Sequence, residues 1–137
     1  MNKTKLVIDT NLWIGYFMGK YVKSYLDQIL SDPQFDLLIS EKSLDELLSV
    51  LTRPKFQKYI TFEQIDILIT LIRRRSLFIN VTSQITLSRD KKDDFLLALS
   101  IDGQADYLLT GDEDLLVLQK IETTLIVKIA DFIAQYA

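Results

Sequence analysis

Apolar positions along this chain follow two alternating rhythms: short unbroken runs, and longer stretches with apolar residues three or four apart. Lys5–Ile8 is a short run rich in β-branched residues that ends at Asp9, a pattern that predicts a buried strand. Asp9-Thr10-Asn11 turns the chain into a helix from Leu12 to about Leu30, with Gly19 as a break point. Asp32-Pro33 closes it, since proline disfavours helical backbone at the residue before it. Phe35–Ile39 reads as a second strand. Ser40-Glu41-Lys42-Ser43 opens a helix that carries Leu44, Leu47, Leu48 and Leu51 on one face and ends before Arg53-Pro54. A further helix runs from Thr61-Phe62-Glu63-Gln64 to Arg73-Arg74-Arg75, and Leu77–Val81 is a third strand. After a polar loop over Thr82–Asp93, Asp94–Ile101 predicts an apolar helix stopped at Gly103. Tyr107–Leu109 is a fourth strand, followed by Thr110-Gly111-Asp112 and a short helix to about Leu118. Thr124–Ile129 is a fifth strand, and Ala130–Tyr136 a last helical turn or two.

Strand alternating with helix predicts an α/β fold whose parallel sheet is covered on both faces, with right-handed crossovers. Ligands of such sheets bind outside the carboxyl ends of the strands, so the residues standing there carry the functional question. Strand one ends in Asp9, and strand four in Asp112, with Asp114 two further on. The loop after strand three leads into Asp90, Asp93 and Asp94. Aspartate caps helix N-termini by accepting from free N–H groups, and capping accounts for any one of these acids. Gathering several costs more, because like charges held together repel. With no cation beside Asp9 or Asp112 in the sequence, a shared divalent ion accounts for Asp9, Asp94 and Asp112 together better than capping does.

Composition narrows the chemistry. The 137 residues contain no cysteine and no histidine, which excludes disulfides, thiolate zinc sites, and Ser-His-Asp or Cys-His catalysis. An oxygen-only ligand set suits Mg²⁺ or Mn²⁺. Nineteen acids against sixteen bases give a net charge of −3, whereas a nucleic-acid binder is usually basic. Setting four metal-bound carboxylates aside leaves fifteen of the nineteen acids against sixteen bases, so bulk charge decides nothing. The length predicts one domain over residues 1–137, and four glycines and two prolines leave little room for a linker. No apolar stretch approaches the ~18 residues of a membrane span. The start, MNKTKLVIDTN, has too short an apolar run for a secretory signal, so a cytoplasmic protein is expected.

Four segments carry a family resemblance: Val7-Ile8-Asp9-Thr10-Asn11, Leu44-Asp45-Glu46-Leu47, Asp94-Phe95-Leu96-Leu97-Ala98 and Leu109-Thr110-Gly111-Asp112. In this order and separation they resemble the motifs of PIN-domain ribonucleases across nearly the whole chain. Arg53-Pro54-Lys55-Phe56 and Arg89-Asp90-Lys91-Lys92-Asp93-Asp94 resemble a bacterial, VapC-like branch of toxin components from toxin–antitoxin systems. The resemblance implies a three-layer α/β/α sandwich with a central, mostly parallel sheet of four to five strands. It also implies metal-dependent endoribonuclease activity with Mg²⁺ or Mn²⁺, RNA as substrate, and a cognate antitoxin and a homodimer as partners. It places a metal-binding, catalytic quartet on Asp9, Glu46, Asp94 and Asp112. Of the two adjacent acids, Asp94 is expected at the metal, because its spacing to Asp112 resembles the family's, with Asp93 turned toward Lys91 and Lys92.

Glu46 rests on the resemblance alone, since its place opposite the Leu44/Leu47/Leu48/Leu51 stripe equally describes a solvated glutamate. Asn11 and Thr110 are expected beside the carboxylates, binding substrate or orienting the site, although turn hydrogen bonds explain them as well. Arg89, Lys91 and Lys92 stand on the loop before Asp94 and are candidates for phosphate contact. Arg73-Arg74-Arg75 complements the dipole of its own helix, and Trp13 is expected in the core or an interface instead of under a base. Two other classes stay open. A phospho-acceptor receiver-like domain also has acids at strand ends, but calls for a pair after strand one. A catalytically silent PIN fold acts as an interaction module and need bind no Mn²⁺.

Overall fold

The computed structural model describes residues 3–19 and 21–136. Among these residues, six strands make one sheet: β1 (Thr4–Ile8), β2 (Phe35–Ile39), β3 (Ser76–Phe78), β4 (Tyr107–Leu109), β5 (Lys120–Ile121) and β6 (Thr124–Val127). Their order is β3-β2-β1-β4-β6-β5, and every pairing is parallel except that of β5 with β6. Among the described residues, seven α-helices cover it: α1 (Thr10–Met18), α2 (Val22–Ser31), α3 (Glu41–Leu51), α4 (Phe62–Arg75), α5 (Lys91–Asp102), α6 (Glu113–Leu116) and α7 (Ile129–Tyr136). Strand residues alternate between the two faces. Leu6, Ile8, Leu37, Ile39 and Leu109 pack with α1 to α4 and α7, and Val7, Leu38, Leu108 and Ile126 pack with α5 and α6. The result is a three-layer α/β/α sandwich. Among the described residues, no helix is long and apolar enough to cross a membrane.

The strand order fixes where a site can stand. The chain crosses from β1 outward to β2 and β3 on one side, then returns to place β4 on the other, so β1 and β4 flank the switch point. Receiver domains put strand three beside strand one; here β4 takes that place, which removes the receiver-like alternative.

Several boundaries differ from those expected. The sheet has six strands, not four to five, because Lys120–Ile121 pairs back on β6 through a turn at Glu122, whose φ of 50° is left-handed. Strand β3 stops at Phe78, since β2 ends at Ile39 and offers only one further bond, from Ile79 N–H to the Ile39 carbonyl (2.8 Å). The last strand ends at Val127 and α7 starts at Ile129. The break at Gly19 holds, although Lys20, within the expected helix, lies outside the described residues, as do residues 1, 2 and 137. Helix α5 begins at Lys91, three residues ahead of expectation, because Asp90 caps it by accepting from Lys92 N–H (2.9 Å).

Candidate metal centre

Asp9 and Thr110 are the first residues past the adjacent strands β1 and β4, and Asp9 N–H still donates to the Leu109 carbonyl (2.9 Å). The Thr110 hydroxyl is fully buried; it donates to Asp9 Oδ2 (2.7 Å) and accepts from Asp112 N–H (3.0 Å), tying the two turns together. Asp9 Oδ1 accepts from Asn11 N–H (3.1 Å) and caps α1, while Asp112 Oδ1 accepts from Asp114 N–H (2.9 Å) and caps α6. Capping and convergence are therefore not alternatives. The caps hold both carboxylates in fixed orientation at the switch point. Burial pushes the Asp9 carboxyl above its ordinary range, with the charges of Asp112 and Asp90 adding to the rise; the bonds from Thr110 and Asn11 pull it back.

The third acid comes from α5. With the helix starting at Lys91, Asp93 sits one turn ahead of Leu96 and Leu97 and is buried with them. Its carboxylate meets those of Asp112 and Asp114, one oxygen of each lying within 4.8 Å of the others. Burial, above all, pushes Asp93 up to about 7, followed by a hydrogen bond shared with Asp112 and the charges of Asp112, Asp90 and Asp9. The geometry brings Asp93 to Asp112 and Asp114, and does not bring Asp94, the expected ligand, into that group. Asp94 lies about 100° around the helix, and its Oδ1 accepts from Leu87 N–H (3.0 Å) and Ser88 N–H (2.7 Å). It anchors the preceding loop, and Asp93 stands in the cluster.

A cavity of about 340 Å³ opens above these groups. Asp9, Asn11, Glu46, Asp90, Lys92, Asp93 and Asp112 line it, together with the apolar Ile14, Val50, Phe56 and Phe95. Glu46 reaches it from α3 but stays outside the trio, with Oε1 3.6 Å from Lys92 Nζ. Arg89 is exposed and pairs with Asp114 at 2.8 Å, while Lys91 is exposed and does not line the cavity. Trp13 is buried in the core. Asp114, Asp90, Arg53 and Lys55 were not among the expected site residues. Asp114 stands in the first turn of α6, two residues past Asp112, and Arg53 and Lys55 reach the cavity from the segment after α3. A broader depression of about 920 Å³ at the opposite ends of the strands is lined by Lys3, Lys5, Asp36 and Asp106, charges of both signs, and is remote from the strand-end acids.

The donor set fits a divalent ion. Three carboxylates converge on one point with only oxygen to offer, as a hard cation requires. The fold is thus a mostly parallel α/β/α sheet with carboxylates gathered at its switch point as a candidate metal site. The chain belongs to the PIN-domain family, whose family model, described as PIN domain, matches residues 5–114. PIN domains are generally metal-dependent nucleases. No curated protein matches the chain significantly.

Proposed function

We propose that this protein is an Mg²⁺- or Mn²⁺-dependent endoribonuclease that hydrolyses RNA phosphodiester bonds, with residues 1–137 acting as one domain. The observation that carries the reading is the trio of Asp93, Asp112 and Asp114, converging at the switch point of a PIN fold. Asp93 and Asp112 would hold the ion, with Asp114 completing the trio. Asp9 and Glu46 flank it from β1 and α3, and Thr110 fixes the spacing of Asp9 and Asp112. A divalent ion supplies, when bound, an activated water and compensation for the charge that builds on the phosphate. Lys92 and the newly placed Arg53 and Lys55 rim the cavity and neutralise flanking phosphates of the strand. Asn11 shapes the rim, and its backbone N–H, like the Thr110 hydroxyl, keeps Asp9 oriented. Nothing in this arrangement needs histidine.

The same reading includes a cytoplasmic toxin of a toxin–antitoxin system, a cognate antitoxin and a second copy of the chain as partners; its support is the resemblance of Arg53–Phe56 and Arg89–Asp94 to that branch. Incubating a mixed RNA pool with the protein, with and without Mn²⁺, tests the chemistry. Light scattering of the purified chain tests the dimer, for which a mass of one chain is the contrary result.

A further inference from the structure

Arg89 has a side chain 87% exposed at the edge of the acidic cluster, yet its Nη2 donates to both oxygens of Asp114, at 2.8 and 3.0 Å. One carboxylate of the trio thus already carries a cation, held from outside. The loop bearing Arg89 is tied down on its near side. Asp94 accepts from the backbone N–H groups of Leu87 and Ser88, the two residues before Arg89. The Ser88 hydroxyl donates to Asp93 Oδ2 and accepts from Asp90 N–H, each at 3.3 Å. Of the adjacent acids, then, one joins the cluster and the other fixes the arm that answers its charge.

We infer that Arg89 is the resident counter-ion of the acidic trio, positioned by Asp94, and that it competes with a divalent ion for Asp114. The inference rests on reading the trio as the metal centre. A guanidinium on Asp114 offsets part of the repulsion among three gathered carboxylates in the metal-free protein. Loading the site is then an exchange of one cation for another, with Arg89 leaving Asp114 as the ion takes it. Arg89 raises the ion concentration needed to fill the site, and Asp94 acts through it as a positioning residue.

Titration calorimetry of the metal-free protein with Mn²⁺ tests this without any assay of activity. Arg89→Gln removes the competitor and tightens Mn²⁺ binding about two- to fivefold, the range that an exposed ion pair allows. Lys91→Gln removes the same charge from a neighbouring residue that lines no part of the cavity, and shifts the affinity by less than about 1.5-fold, because through-space effects at the surface are screened. In an Asp94→Ala background the arm is already loose, so adding Arg89→Gln changes the affinity by less than about 1.5-fold. Equal tightening by Arg89→Gln and Lys91→Gln, or no change in Arg89→Gln, overturns the inference. A full Arg89 effect in the Asp94→Ala background overturns the positioning role of Asp94. If Asp94→Ala does not fold, Leu87→Pro, which removes one of the two N–H groups that Asp94 holds and leaves the Ser88 hydroxyl on Asp93, replaces it with the same expectation. Absence of saturable Mn²⁺ binding by the unsubstituted protein overturns the metal-centre reading itself.

Discussion

Asp93 is buried against two other carboxylates, and its proton is retained up to about pH 7, chiefly by burial and then by Asp112. The ordinary aspartate value is 3.8, so between pH 4 and 7 the metal-free folded state holds a proton that the unfolded chain has released. Stability from this group is therefore fully present below about pH 4 and is lost as pH rises through about 7. Other acids with lowered values, such as Asp27 and Asp102, act in the opposite direction, so the clean measurement is a difference. Thermal melts of the unsubstituted protein and of Asp93→Asn, in chelator, should diverge as pH rises from 4 to 7, with the variant increasingly the more stable. A gap that stays constant with pH contradicts the account. Saturating Mn²⁺ should stabilise the unsubstituted protein, and do so more at pH 7 than at pH 5. Asp93→Asn should lose at least tenfold in Mn²⁺ affinity, the order of effect expected on removing a charged ligand, while Asp94→Asn retains saturable binding. The adjacent pair was legible in the sequence, but its division of labour was not. Which acid meets Asp112 depends on where α5 starts, and that was set by Asp90 as cap, one of several aspartates able to serve.

Arg75 shows how an element is finished by a residue far away in sequence. Its Nε donates to the Leu30 carbonyl (2.8 Å) and its Nη2 to the carbonyls of Asp32 (3.1 Å) and Phe35 (3.3 Å), satisfying the C-terminal end of α2 and the turn into β2. Arg73 pairs with Glu41 on α3 (3.0 Å) and lies over the Phe78 ring. The triplet stands in the last turn of α4, where it complements the helix dipole, and two of its members also connect α4 to neighbouring elements. Arg75→Ala should cost about 2 kcal/mol in denaturant unfolding, because three partly buried carbonyls lose a charged donor, and should leave Mn²⁺ affinity unchanged. Loss of metal binding on that substitution would place Arg75 in the site and contradict this assignment. Gly103 ends α5 where a Cβ would stand 2.7 Å from Leu38 Cδ1 and 3.1 Å from the Leu99 carbonyl oxygen. Gly103→Ala should therefore destabilise by about 1–3 kcal/mol through overpacking; a neutral melt would show that β2 yields more readily than its packing suggests. The glycine was read as a stop signal, which it is, but the demand for space comes from a strand that sequence order does not put beside it.

At the scale of the molecule, the layers were legible because β1, β2 and β4 are short apolar runs separated by stretches of helical spacing, and such alternation leaves few topologies. The strand-end rule then pointed to Asp9 and Asp112 without any view of the fold, and Thr110 and Register pairing of Ile8 with Leu109 explain why they meet. Glu46, Arg53 and Lys55 could not be found from local pattern, since what brings α3 and the turn after it to the cavity is packing on the sheet. β5 was missed because two residues carry no periodicity. The central claim joins all of these scales: an acidic trio at the switch point performs ion-dependent hydrolysis of RNA. The most direct measurement follows cleavage of a mixed RNA pool by protein prepared in parallel as the unsubstituted chain and as Asp112→Asn, each in Mn²⁺, in Mg²⁺ and in chelator. The account predicts cleavage by the unsubstituted chain in either metal, none in chelator, and none by Asp112→Asn under any condition. Cleavage that persists in chelator, or that Asp112→Asn matches, would contradict it.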